Sequence, residues 1–228
     1  WVLANVESSE AFFGSAPAML AAKTGNRVRV LRYVFGLAGI PSDLVAVRSK
    51  AADITESPVA DADTYASAVL RVQLPSGETW ISGGERWMPF GYIPTLLRGQ
   101  EGLVIAAGAP RVRVGPAPEG QERHEVMADV HLGTEGEARF EVTETFRGGG
   151  AIGWRGQLEE IPAAELQRRF EQGYVARLVP GAELQSIDIA ARDKPDEPLV
   201  VKYTFTVSDL GRRNGARWIV HGLFPLQL

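Results

Sequence analysis

The sequence predicts an α+β chain in two parts: a helix packed on a small antiparallel sheet, then a β-sandwich-like domain with one helix. Three observations carry that expectation. Val28, Leu31, Val34, Phe35 and Ala38 recur at helical spacing. Two extended runs flank the turn Pro75-Ser76-Gly77, the pattern of a hairpin. Past a stretch holding Gly108, Pro110, Gly115, Pro116, Pro118 and Gly120, strand-like runs dominate. That stretch reads as a linker between domains 1–110 and 111–228.

Taken in order, Glu10 to Ala22 reads as helical, with Pro17 splitting it. Gly25-Asn26 is a turn that opens the second helix, whose Arg29 and Arg32 fall on the face away from the apolar stripe. Gly39, with Pro41 behind it, stops that helix. Leu44 to Arg48 reads as a short strand, and residues 51–64 as a polar, irregular segment. Tyr65 to Leu74 and Glu78 to Ser82 form the hairpin. In the second domain Val126 to Leu132, Arg139 to Phe146 and Ile152 to Leu158 read as a meander, with Gly148-Gly149-Gly150 as one of its turns. Pro162 opens a helix at its first position, and Leu166, Phe170 and Tyr174 give that helix one buried face. Strands near Leu184 to Ala190, Leu199 to Val207 and Trp218 to Val220 follow.

Composition narrows the function classes. Of 228 residues, 45% are hydrophobic and 23% charged, the balance of an ordinary globular protein. The net charge is -4, and residues 1–110 carry 9 basic and 10 acidic side chains against 15 and 18 in residues 111–228. Neither half is a basic module, which argues against nucleic acid as a partner. The chain has 0 cysteines, which excludes disulfides, thiolate metal sites and a Cys nucleophile. No apolar run approaches the roughly 18 residues of a membrane span. The chain opens at Trp1 without an initiator Met and ends in the mostly apolar run Gly222 to Leu228. It reads as a piece of a longer protein, with no targeting signal inside it.

Several segments resemble one family of enzymes. Thr24-Gly25-Asn26-Arg27-Val28-Arg29-Val30-Leu31 resembles the Gly-Asp-Cys segment that opens the catalytic helix of transglutaminase-like proteins, members of the papain-like cysteine protease and transglutaminase superfamily. Gly39-Ile40-Pro41-Ser42-Asp43-Leu44-Val45 is similar to the family's turn from that helix into a strand. Tyr65-Ala66-Ser67-Ala68-Val69-Leu70-Arg71-Val72 resembles the strand that carries the catalytic His. Thr79-Trp80-Ile81-Ser82-Gly83-Gly84 resembles the strand that carries the Asp. Met88-Pro89-Phe90-Gly91-Tyr92-Ile93-Pro94 is similar to the segment that closes the domain. The resemblance covers roughly residues 15–107, and the second half resembles, more loosely, the β-rich domain that follows this core in some bacterial proteins.

Family enzymes place Cys at a helix N-terminus, where the helix dipole and a nearby His lower the thiol pKa, and an Asp orients the His. The resemblance implies that Arg27 stands in the Cys position, Ser67 in the His position and Ser82 in the Asp position; a one-residue slip makes Asn26 the Cys equivalent. No His precedes His124. The three catalytic residues act as a unit, so losing all of them removes the chemistry.

Other residues have a functional and a plain reading. Arg27 either binds an anionic group or pairs with Asp61, Asp63 or Glu85, and pairing is the favoured reading. Ser67 and Ser82 lack a base and read as small polar filler. Asp53, Glu56, Asp61 and Asp63 fit no calcium-loop spacing and read as a solvated acidic loop. His124, Glu125, Asp129 and His131 could suggest a metal, but His124 and His131 point to opposite faces of a strand. His221 stands alone. Trp80, Trp87, Phe90 and Tyr92 either line a groove or pack the hairpin.

The expected function is therefore a non-catalytic transglutaminase-like module with a binding, interaction or scaffolding role in a larger bacterial protein. The ligand-binding candidates are Arg27, Trp80, Trp87 and Tyr92. No metal or cofactor is expected. The partner is a peptide, a glycan or another protein, and the resemblance implies a bacterial envelope or periplasmic location. The alternative is an active hydrolase or transamidase of the same superfamily, using residues outside the usual triad or outside this chain.

Overall fold

The computed structural model describes residues 1–9, 14–51, 62–116, 120–214 and 217–220. The chain is α+β and divides into two compact units, Trp1–Gln121 and Glu122–Leu228.

The first unit starts with a helical turn α1 (Val2–Asn5) and strand β1 (Glu7–Ser8). Helix α2 (Ala16–Ala22) begins at Ser15, whose hydroxyl accepts from Ala18 N. Pro17 sits in its first turn, where a missing N–H costs no bond, so it starts this helix instead of splitting a longer one. Residues 10–13, where the sequence extended the helix, lie outside the described residues. Strand β2 (Thr24–Gly25) pairs in parallel with β1. Gly25 has φ 131, and a Cβ there would meet Met19 Cγ at 2.7 Å, so only glycine serves.

Helix α3 (Arg27–Leu37) is capped by Asn26, whose Oδ1 accepts from Arg29 N. Its end is set by Gly39, at φ 70. Val28, Leu31 and Phe35 pack on Leu70, Val72 and Ile81. Val30 is fully buried on another side, against Val2, Val6 and Met19. The helix thus buries two stripes, one more than its periodicity predicts.

The sheet that α3 covers holds β3 (Ser42–Val47), β4 (Ser67–Leu74), β5 (Gly77–Ser82), β6 (Glu101–Val104) and β7 (Arg111–Arg113). Their order is β5-β4-β3-β6-β7, all antiparallel. The opposite face packs Val45, Val47, Val69, Trp80 and Val104 against Ile93, Leu97 and Val114. A 3-10 turn, Ala62–Tyr65, precedes β4, so Tyr65 is not in the strand.

The stretch read as a linker is partly sheet. Strand β7 pairs with β6, Val114 is buried, and Gly115 lies against the Trp80 ring. The division falls between Gln121 and Glu122. Glycine and proline there shape the end of a strand.

The second unit opens with β8 (Arg123–Leu132) and β9 (Ala138–Arg147). Helix α4 (Gly148–Glu159) follows at once. This corrects two expectations: the triple glycine is the helix's first turn, not a hairpin turn, and Ile152–Leu158 is helix, not strand. Ala151, Ile152, Arg155 and Leu158 are its buried positions, at helical spacing. The Glu122 carboxylate accepts from Gly149 N at 2.8 Å, placing an acid at the helix's positive end. Pro162 leads into a 3-10 turn, Ala163–Glu165, then α5 (Leu166–Phe170), a π-helical turn (Glu171–Val175) and α6 (Ala176–Leu178). Leu166, Phe170 and Tyr174 all pack on the core, as the sequence predicts.

Strands β10 (Ala182–Ala190) and β11 (Leu199–Val207) complete an antiparallel sheet of order β10-β11-β9-β8. A hairpin of β12 (Gly211–Asn214) and β13 (Arg217–Val220) ends the described chain. Among the described residues, helices supply the layer opposite the four-stranded sheet: Ala151, Leu158, Phe170 and Val175 meet Phe140, Val142, Tyr203 and Phe205. The expected β-sandwich with one helix is therefore a sheet with helices on one face. Reading α4 as a strand created the extra layer. Among the described residues no helix is long and apolar enough to cross a membrane.

Candidate functional site

Strands β4 and β5 pair with Val69 opposite Ser82. Ser67 lies two residues before Val69, so Ser67 and Ser82 share the sheet face of Val69 and Trp80. Helix α3 packs on the opposite face, through Ala68 and Leu70. Its first residues nevertheless reach the strand ends. A Cβ on Gly83 would stand 2.9 Å from Val28 Cγ2 and 3.2 Å from Arg27 Cβ. The missing side chain is what admits the helix start.

Arg27, Ser67 and Ser82 consequently line one cleft of about 370 Å³. Ser8, Ser9 and Ser49 add hydroxyl-bearing residues to its wall, and Met88, Pro94, Leu96 and Leu97 make an apolar side. Arg27 is held firmly: Nε donates to the Val6 carbonyl at 2.6 Å and Nη1 to the Gly84 carbonyl at 3.0 Å. Burial lowers its pKa, nearby Arg86 lowers it further, and the charges of Glu85 and Glu7 act against both. The pairing partners read from the sequence do not take this role among the described residues. Glu85 acts through space, Asp61 lies outside the described residues, and the Asp63 side chain is not described. Ser82 is 6% exposed. Among the described residues no Cys or His lies on the wall, and the one carboxylate there, Glu85, is exposed.

The aromatic candidates do not line this cleft. Trp80 is buried and donates its indole N–H to Glu78 at 2.9 Å. Tyr92 is buried with the Arg98 guanidinium 5.1 Å from its ring centre, and Arg86 stands 5.1 Å from the Trp87 ring. These contacts pack the segment after β5.

The second unit holds a polar cluster the sequence reading missed. Glu144 is 1% exposed in the core face of β9. Tyr203 Oη donates to it at 2.6 Å, Tyr174 Oη lies 2.9 Å from both its oxygens, and His124 Nε2 is 2.6 Å away. His124 also stacks on Phe146 with ring centres 4.3 Å apart. Burial, then the Glu144 carboxylate, pushes both tyrosine pKa values far up, so both stay neutral donors. The signal was available: Phe140, Val142, Glu144 and Phe146 alternate inward, with one acid at a core position.

His131 lies on the other face of β8, in a cavity of about 470 Å³ with Arg139, Glu183 and Thr206. Among the described residues no three His, Asp or Glu side chains gather as a metal site. Asp53, Glu56 and His221 lie outside the described residues.

No family model matches the sequence, and comparison with curated proteins and with solved structures finds no match.

Proposed function

We propose that the first unit is a transglutaminase-like core that has lost its chemistry and keeps its cleft for binding. The observation that carries this reading is the convergence of Arg27, Ser67 and Ser82, far apart in sequence, on one cleft at the start of α3. The chain has 0 cysteines, and among the described residues no imidazole lies on the cleft wall. A serine hydroxyl without a base stays protonated at neutral pH. Arg27 bridges two backbone carbonyls and cannot serve as a base. The role is binding, interaction or scaffolding within a larger bacterial protein of the envelope, with a peptide, glycan or protein as the partner.

The test is a combined assay for hydrolysis and amine cross-linking of a peptide library by the purified chain. The expected result is no turnover above buffer, for the wild type and for Arg27→Ala, Ser67→Ala and Ser82→Ala alike. Turnover that any of these substitutions abolishes would overturn the reading.

A further inference from the structure

We infer that β8, the open edge of the four-stranded sheet, is a homodimer interface: two copies pair their β8 strands antiparallel about a two-fold axis at Ala128. The inference stands apart from the reading of the first unit.

The two edges of the sheet differ. At β10 the register shifts between Leu184 and Ser186, as at a bulge. Leu184 N donates to the Glu171 carboxylate at 3.0 Å, and Gln167 Nε2 donates to the Leu184 carbonyl at 3.4 Å. That edge is irregular, and side chains occupy backbone groups of Leu184. β8 has no such guard. It pairs with β9 in unbroken register from Arg123 to Leu132, and among the described residues β9 is its one partner strand. It holds no Pro, Gly or Lys. A long, regular edge of this kind is a template for another strand.

By register, His124, Val126, Ala128, Val130 and Leu132 share the core face with Phe140, Val142 and Glu144. Ala128 packs on the core, yet Val126, Val130 and Leu132 are 45%, 38% and 38% exposed. A second β8 alongside covers them and extends the core.

The pattern of β8 selects a second copy and its register. With Ala128 on the axis, residues 124–132 of each copy pair. Val126 then faces Val130 of the second copy, and Glu125 faces His131, a carboxylate against an imidazole. Moving the axis to Met127 sets Glu125 against Asp129, and moving it to Asp129 sets that acid against itself. Like charges directly opposite are unfavourable. Moving the axis to Val126 pairs residues 123–129 and leaves Val130 and Leu132 beyond the paired segment.

The experiment follows the mass of the whole 24.7 kDa chain by sedimentation, from about 1 to about 500 μM. The expected result is a dimer at the upper end. Val126→Lys combined with Val130→Lys sets ammonium against ammonium and should raise the Kd at least about tenfold. Val126→Lys combined with Val130→Glu should restore the dimer, which a variant that fails to fold would not do. Single thiols report the axis, since the chain has 0 cysteines. Ala128→Cys brings two thiols face to face within disulfide reach. The thiols of the more exposed Val126→Cys stand more than about 10 Å apart. Oxidation should therefore cross-link Ala128→Cys and spare Val126→Cys. A monomer across the whole range overturns the inference: slow amide exchange in its β8 would mean that the chain covers its own edge, and fast exchange would leave the edge to a foreign strand. A dimer indifferent to the paired lysines overturns it too, and faster cross-linking at Val126→Cys overturns the two-fold register.

Discussion

The Nε of Arg27 lies 2.6 Å from the carbonyl oxygen of Val6, while Nη1 of the same side chain reaches the Gly84 carbonyl at 3.0 Å. One guanidinium therefore ties the N-terminal segment to the chain just past β5, across the start of α3. In the proposed reading this position corresponds to the nucleophile of transglutaminase-like enzymes, and it holds a clamp.

Arg27→Met removes both bonds and leaves two carbonyls without their donor. The expected loss is about 2 kcal/mol in the first unit, read by urea denaturation, because bonds to a charged donor are among the stronger ones. Arg27→Lys should recover only part of it, since an ammonium cannot reproduce the planar fork. A loss under about 0.5 kcal/mol for Arg27→Met would show that the clamp contributes little.

Gly83→Ala tests the approach of helix and strand. The new Cβ would stand 2.9 Å from Val28 Cγ2 and 3.2 Å from Val28 N. The backbone cannot yield as a flexible side chain can, so the start of α3 must move. A destabilisation of about 1–3 kcal/mol is expected, together with shifted amide signals at Arg27 and Val28. Unchanged stability and spectra would contradict this close contact.

The tyrosines around Glu144 give a pH prediction. Their folded pKa values are raised, so the folded state favours the neutral form more than the unfolded state does. Stability from this source is complete below the ordinary tyrosine value near 10 and falls as pH rises above it. Each raised tyrosine adds about 1.4 kcal/mol per pH unit to that fall. Tyr203→Phe should lower stability near neutrality by about 1–2 kcal/mol, through the lost bond to Glu144, and make the alkaline fall shallower. An alkaline profile identical in the wild type and the variant would contradict the account.

Arg155 is 1% exposed and donates to the carbonyls of Ala191, Lys194 and Glu197. Burial lowers its pKa, while Asp196, Asp193 and Glu197 act in the other direction. Arg155→Met fills similar space but strips three carbonyls of their donor. The expected loss is about 3 kcal/mol, with faster amide exchange across residues 191–197. A loss below about 1 kcal/mol would show that water replaces the guanidinium at little cost.

Periodicity made much of this fold legible. Val28, Leu31 and Phe35 mark the α3 face that meets the sheet, and Leu199–Val207 is a strand with the bounds its pattern predicts. Local sequence failed where two periods compete. Ile152 to Leu158 is short, apolar and preceded by three glycines, which reads equally as a hairpin strand. Arg155 among its buried positions decides for helix, and its three carbonyl partners lie more than thirty residues on. The linker reading failed because Pro and Gly also shape strand ends, and the β6 partner of Arg111–Arg113 is a tertiary fact.

The candidate site was half legible. The resemblance picked out Arg27, Ser67 and Ser82, which the fold brings to one cleft. Trp80, Trp87 and Tyr92 looked like a groove because aromatics serve cores and grooves equally well in a sequence. Their partners, Glu78, Arg86 and Arg98, lie within six residues of each ring and tie them to local packing. The carbonyl partners of Arg27 could not be read, because backbone acceptors leave no mark in a sequence.

The measurement that tests the central claim most directly is the alkylation of an introduced thiol. Arg27→Cys is compared with Arg27→Cys combined with Ser67→His and Ser82→Asp, following the iodoacetamide rate against pH. If the three positions form the family's constellation, the triple variant should react at lower pH, with its midpoint down by about one unit or more, because an adjacent imidazolium stabilises the thiolate. Superimposable profiles in two folded variants would contradict the assignment, since the imidazole would then lie beyond reach of the thiol.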